Sequence, residues 1–285
     1  EEDEEEEDEY SDDDMDEFSD DDDSSWKVRR AALHVLSAIV STRPELLQEL
    51  YTSPGEEPSL ADQLIARFKE REENVRLDVL GCFTEQLKAT TTTETRGSHN
   101  TGCAEPIARQ MSSAVDLESK LPAIVAAANK QMGTKGTVKT KSAVFAMYRQ
   151  LAIVLPGKLA EHYSTMMASV ITSLQDKATG IKLDALVFLR LLLQTHEPEV
   201  AHPFIAEILP HVVACVSEDW YKIIAEALRA VDVLSRVIRP RSAEGDMFVG
   251  DFDHSPHVME LYNAVLPRLQ AHDIDQEIKE SAIIA

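Results

Sequence analysis

Cysteine is scarce in this chain: Cys82, Cys103 and Cys215 are an odd number without a Cys-x-x-Cys pair. That excludes a disulfide framework and leads us to expect a reducing, intracellular setting. Aromatic residues make up only 6% of the chain. Few stretches alternate apolar and polar residues with a period of two, so there is little from which to build a sheet. No uninterrupted apolar run approaches the ~18 to 20 residues that a membrane span needs. The most apolar stretch, LDALVFLRLLL, is broken by Asp184 and Arg190. No signal peptide is visible. The chain opens without Met and stops at SAIIA, inside a helical pattern. We expect it to be a portion of something longer.

Lys and Arg are missing from one place in particular. Residues Glu1 to Asp23 hold 18 of the 51 acids and no base. The rest of the chain is left with 33 acids against 28 bases. The net charge of −23 therefore belongs largely to this segment. Such a run cannot bury enough apolar surface to offset chain ordering, so residues 1–24 are expected to be a disordered acidic segment ahead of one folded domain, 25–285. Its charge opposes contact with nucleic-acid phosphates and favours basic proteins; a solvated tether with no dedicated partner is the plainer reading.

What the body of the chain does contain is a repeat. A small apolar or aromatic residue followed by Arg or Lys recurs as Val28-Arg29, Val75-Arg76, Val138-Lys139, Ile181-Lys182, Tyr221-Lys222 and Ile278-Lys279, at intervals of 47, 63, 43, 40 and 57 residues. A period near 40 to 47, stretched by insertions, is that of two-helix solenoid repeats. Each dipeptide opens a B helix, and an apolar A helix should precede it. The fifth unit shows this best. Its A helix places Phe204, Ile205, Ile208, Leu209, Val212, Val213 and Val216 on one broad stripe, and its B helix does the same with Ile224, Ala227, Leu228, Val231, Leu234 and Ile238. Arg229, Asp232 and Arg236 fall on the other face.

The same pattern predicts A helices over Ser59–Phe68, Leu117–Met132, Pro156–Leu174 and His257–Ala271. The matching B helices run over Ser25–Ser41, Asn74–Lys88, Thr137–Leu155 and Ile181–Gln194, and from Asp275 onward. Pro122, Pro210 and Pro267 each follow a Leu inside an A segment, where a Pro bends the axis. The expected fold is thus all-α, an α-solenoid of about five to six HEAT-type helix pairs whose core forms only by stacking.

An acid lies six residues before the base in four units: Asp23 and Arg29, Glu70 and Arg76, Asp176 and Lys182, Asp273 and Lys279. Set in the A–B turns, these would form a ladder of alternating charge between neighbouring repeats. Each exposed pair contributes only ~0 to 1 kcal/mol, so the ladder sets register more than stability. Three segments, Leu50–Pro58, Ala89–Glu105 and Ser242–Pro256, are rich in turn and small polar residues and read as exposed loops.

Catalytic and metal-binding patterns are lacking. His254 and His257, or Cys82, His99 and Cys103, have no fourth ligand at zinc spacing. QMGTKGTVKTKS lacks the order of a phosphate loop and reads as an A–B turn. Cys215 falls in an apolar stripe. Trp26 and Trp220 stand at B-helix starts, where they would wedge between repeats. We expect no enzyme activity, no metal, no cofactor, no small-molecule substrate, and neither nucleic acid nor membrane as partner.

The strings SSWKVRRAA, STRPELL, IARFKEREENVRLDVL, KQMGTKGTVKTK, VLPGKLAEHY, HPFIAEILPHVVACVSEDWYKIIAEAL, RVIRP and HDIDQEIKESAI occur in this order. With them the chain resembles the early-middle part of the cullin-associated and neddylation-dissociated (CAND) proteins. The resemblance implies a non-enzymatic, cytoplasmic and nuclear scaffold. Such a scaffold binds cullin–RING ubiquitin ligases, promotes exchange of their adaptor and substrate-receptor modules, and restrains neddylation. It transfers no individual contacts. Lys69, Arg71, Arg149, Arg190, Arg229 and Arg236 are the candidate partner-binding residues, with solvated faces or register pairs as the competing role for each. A nuclear-transport receptor that binds Ran or basic cargo, also a HEAT solenoid with an acidic loop, stays open as the alternative.

Overall fold

The computed structural model describes residues 24–53, 55, 57–97, 104–133, 136–239, 255–271 and 275–285; of 44, 91–97, 104–112 and 255 the backbone alone is described. The elements described are all helical. They are α1 (Ser25–Thr42), α2 (Leu47–Tyr51), α3 (Leu60–Ala66), α4 (Glu73–Gly97), α5 (Ala104–Met132), α6 (Val138–Val154), α7 (Tyr163–Leu174), α8 (Thr179–Gln194), α9 (Pro198–Ala201), α10 (Ile205–Val216), α11 (Tyr221–Ile238), α12 (Ser255–Gln270) and α13 (Gln276–Ile284), with short 3-10 turns between some of them. Each of the six basic dipeptides lies in the first turns of one of α1, α4, α6, α8, α11 and α13. These are the B helices. The A helices are α3, α5, α7, α10 and α12, with α2 and α9 as short preludes to α3 and α10.

Each B helix packs on the next, and each A helix on its own B helix and on the next A helix. Successive B helices meet over more of their length than successive A helices do, so the B layer forms one continuous wall. Between the layers one hydrophobic cluster runs without a break from Leu33 in α1 to Ala282 in α13. Aromatic pairs carry it across repeat boundaries. Phe188 of α8 lies 5.8 Å from Phe145 and 5.5 Å from Tyr148 of α6, centroid to centroid. Tyr163 of α7 meets Phe204, at the start of the next A segment, at 5.6 Å. The apolar residues of α10 and α11 that the periodicity singles out are buried or half-buried in this seam, and so is Cys215, whose thiol burial pushes up to about 11.

Local chemistry accounts for the boundaries. Ser59 opens α3 with a capping box: its hydroxyl accepts from the Asp62 N–H at 3.2 Å, and the Asp62 carboxylate accepts from the Ser59 N–H at 3.2 Å. Lys120 of α5 donates to Asp62 at 2.6 Å, tying the cap to the next A helix. Burial pushes the Asp62 carboxyl up, but Lys120 and Ser59 outweigh that and hold it below its ordinary value. Ser59→Ala should cost about 1 kcal/mol, read as a lowered midpoint in urea unfolding. Pro122, Pro210 and Pro267 do lie inside α5, α10 and α12.

Several expectations are corrected. The segment Leu50–Pro58 is not all exposed loop: Tyr51 ends α2 in the core, its hydroxyl 3.0 Å from that of Thr90. Nor is Ala89–Glu105 a loop throughout. α4 runs on to Gly97 and α5 starts at Ala104, leaving only 98–103 outside the described residues. Thr90 is buried and returns its hydroxyl to the Gln86 carbonyl at 3.0 Å, so tertiary packing overrides the low helix propensity of the Thr run. Most of Ser242–Pro256 lies outside the described residues, while its end begins α12. The fourth A helix starts at Tyr163 rather than Pro156. Leu155–Lys158 is a type II turn instead, with Pro156 at its second position, Gly157 at φ 78° and the Lys158 N–H donating to the Leu155 carbonyl at 3.2 Å.

Composition alone also understates one segment. Pro198–Val216 is long and apolar enough to cross a membrane. It is divided into α9, a 3-10 turn and α10, and Ile205, Ile208, Leu209 and Val212 face the seam.

The turn after α6 is held by His196 at the end of α8. Its Nε2 accepts from the Leu159 N–H at 3.1 Å, and its Nδ1 lies 3.0 Å from the Leu192 carbonyl, to which it donates in the neutral ring. Burial holds the pKa below the ordinary histidine value, although the Leu192 hydrogen bond pulls the other way. The folded state thus resists a proton that the unfolded chain accepts. This stability is present above about pH 6.5 and is lost as pH falls through the lower, folded value. Asp62 and Asp176, whose carboxyls are held low, act only below about pH 4, outside that window. Urea midpoints should therefore fall between pH 7.5 and 5.5, and less steeply in His196→Asn.

Candidate interaction surface

The B helices pack in parallel with their N-terminal ends along one edge of the molecule. That edge carries the first charge ladder. Arg29 reaches Glu70 at 3.5 Å, Lys141 reaches Asp176 at 3.2 Å, and Lys182 pairs with Glu218, each linking one repeat to the next. For Asp176 the first cause of its low pKa is the Ala178 N–H, with Lys141 adding to it. The expected acids Asp23 and Asp273 lie outside the described residues. Arg76 departs from the pattern: it donates to the Glu70 carbonyl at 2.7 Å and to the Thr140 hydroxyl at 3.2 Å. Thr137, in the segment read as an A–B turn, caps α6 and donates to Glu73 across the same junction.

A second ladder, not anticipated from the sequence, runs across the B wall itself. Arg30 of α1 meets Asp78 of α4 at 2.6 Å, and Arg149 of α6 meets Asp184 of α8 at 3.0 Å. Arg190 of α8 meets Glu226 of α11 at 2.6 Å. Arg229 of α11 then bridges Glu226 at 3.1 Å and Glu277 of α13 at 2.7 Å. Glu226 is only 4% exposed, a carboxylate held in the seam by two guanidiniums. The Arg229 guanidinium is held above its ordinary pKa, first by Glu277 and then by Glu226. Asp78 and Asp184 both lie two residues after the repeat's base, a spacing that could have disclosed the ladder. Glu226 had a fainter signal, an acid inside an apolar run with Arg three residues on.

The six candidate contacts therefore divide. Arg149, Arg190 and Arg229 lie on the B wall but are engaged in pairs between repeats. Arg236 pairs within its own helix with Asp232 at 2.9 Å, its side chain 72% exposed. Lys69 and Arg71 are exposed but sit in the turn between α3 and α4, on the edge rather than the wall. With Lys27, Lys139, Lys177, Lys222 and Lys279 they make a row of exposed cations without a carboxylate partner among the described residues. Val28, 71% exposed, and Val138, 50% exposed, stand on the same edge. Lys27 lies over the Trp26 ring at 5.6 Å and Lys222 over Trp220 at 5.8 Å; both Trp residues are half-buried at B-helix starts. Exposed acids there, Glu72, Asp219, Asp275 and Glu280, are fewer than the cations.

Of the ligand sets considered earlier, Cys82 is buried, His257 lies in α12, and His99, Cys103 and His254 lie outside the described residues. No group of three or more His, Cys, Asp or Glu at metal-binding distance occurs among the described residues.

In its fold the chain is similar to a designed armadillo repeat protein solved in complex with the peptide (KR)4. The TM-score is 0.63 over 92% of this chain and 93% of that one, at 13% identity. That similarity establishes the repeat solenoid alone. A family model described as CAND1-like, TPR repeats, matches residues 157–285. Over 92% of its length the chain is 40% identical to cullin-associated NEDD8-dissociated protein 1 of Arabidopsis thaliana and 38% identical to cullin-associated NEDD8-dissociated protein 2 of Mus musculus. The chain is thus similar to a part of the cullin-associated NEDD8-dissociated proteins. It spans about a fifth of the length of these relatives, 20% in each case. The stretch of similarity takes in both layers of the solenoid, its wall of B helices and its basic edge.

Proposed function

We propose that the chain is part of a non-enzymatic regulator that associates with cullin–RING ubiquitin ligases. In this reading the regulator assists adaptor and substrate-receptor exchange, restrains neddylation, and works in cytoplasm and nucleus. The observation that carries the proposal is similarity, over 92% of the chain, to proteins whose names state cullin association and NEDD8 dissociation. The architecture suits the role. A stack of helix pairs offers a long recognition surface, and its mid-wall charges are spent on holding the repeats in register. Contacts then fall to side chains outside that ladder, of which Lys69, Arg71 and Arg236 are the exposed members of the candidate set. No reaction is asked of any residue.

The chain should be retained by an immobilised cullin–RING complex and pass through a Ran-GTP column; retention on Ran-GTP alone would overturn the proposal. Charge reversal at Lys69, Arg71 and Arg236 together should weaken capture at least tenfold. Unchanged capture removes these three as contacts while leaving the association itself intact.

A further inference from the structure

We infer that residues 1–23 dock on the lysine edge of their own solenoid. Residues 1–23 lie outside the described residues, yet their point of attachment is described. Ser24 leads directly into α1, whose N-terminus is one end of the row of cations. The segment therefore enters the molecule on the edge where Lys27, Lys139, Lys177, Lys222 and Lys279 stand exposed without carboxylate partners among the described residues.

Charge, reach and apolar content agree. The segment brings 18 acids and no base, and among the described residues the edge carries more unpaired cations than exposed acids. Six B helices at ~10 Å spacing extend over roughly 50 Å, while 23 extended residues span at most ~75 Å, enough to follow the whole row. Tethering holds the segment near the edge at an effective concentration on the order of millimolar. Tyr10, Met15 and Phe18, its only large apolar side chains, match an edge on which Val28, Val138 and Tyr221 are exposed. A row of lysines with apolar residues between them takes a polyacidic strand that carries occasional aromatics, and the segment next to it has that composition. While it is docked, an acidic surface of another protein can reach this edge only by displacing it.

The test is carbodiimide cross-linking of the whole chain, which joins carboxylates to amines in contact, read by peptide mass spectrometry. Links from acids in 1–23 to Lys139, Lys177 and Lys222 are expected. They should fall at least fivefold when salt is raised from 0.15 to 1 M, as the screening length shrinks from ~8 to ~3 Å. Links to Lys279, which keeps its amine, should also fall at least fivefold in a Lys139→Gln, Lys177→Gln, Lys222→Gln variant whose melting is unchanged; undiminished links to Lys279 overturn the proposal. Lys158, exposed on the opposite edge, is the control. Equal linking to Lys158, or linking to Lys27 alone, overturns the proposal. So do links that, in a mixture of isotopically light and heavy chains, form only between different molecules.

Discussion

Phe188→Ala is expected to destabilise the protein by about 3–5 kcal/mol. Its ring is wholly buried between α6 and α8, against Phe145 and Tyr148, so truncation opens a cavity at a boundary between repeats rather than inside one. The surroundings can collapse only by moving one repeat against the next, and that motion is resisted by the Arg149–Asp184 pair at the same junction. In a solenoid each unit is stable only through its neighbours. The loss should therefore appear as faster hydrogen exchange in both α6 and α8, spreading outward to α4 and α11, together with a lower unfolding midpoint. Damage confined to α8 would show that the repeats are energetically separate, contrary to one continuous core.

A comparably large effect should come from stranding Glu226. With Arg190 and Arg229 both changed to Met, the carboxylate loses both guanidiniums while only 4% exposed. An unpaired buried charge of this kind costs about 3–5 kcal/mol. The reverse operation should be mild. Glu226→Met removes the buried charge and leaves two arginines that already reach water, with side chains 29% and 41% exposed. The triple variant, all three residues Met, should recover most of the stability lost in the double variant. Urea unfolding of the four proteins decides the matter. A double variant within about 1 kcal/mol of the parent would mean that Glu226 finds water or a proton at little cost, and that it does not hold α8, α11 and α13 together.

Much of this was legible in the residues. The six basic dipeptides mark the six B helices, and the stripes of α10 and α11 face the core as their periodicity demands. Serine at position 59 and threonine at 137 cap helices where the pattern begins. The departures share one cause: local preference was outweighed by a distant partner. Threonine 90 is a poor helix former, yet it lies inside α4, where its hydroxyl donates to the Gln86 carbonyl and accepts from the buried Tyr51 hydroxyl. Pro156 suits a helix start, but Gly157 after it makes a type II turn, which His196 braces from the end of α8 through Leu159.

The order and pairing of the main helices can be read from the chain alone, because period, caps and breakers act over a few residues and leave a local trace. The sequence also carried the family resemblance, since an ordered string such as KEREENV is far more specific than helical periodicity. Only the tertiary structure decided what the charges do. A linear reading leaves Arg149, Arg190 and Arg229 open between partner contacts and register pairs, and the second role follows once a carboxylate 35 to 48 residues away is brought within 3 Å. At the starts of the B helices, Arg29, Lys141 and Lys182 gain a carboxylate partner from the next repeat, whereas Lys27, Lys139, Lys177, Lys222 and Lys279 have none among the described residues. A charge is spent or available according to which neighbour the stack supplies, and that depends on distance in space rather than along the chain.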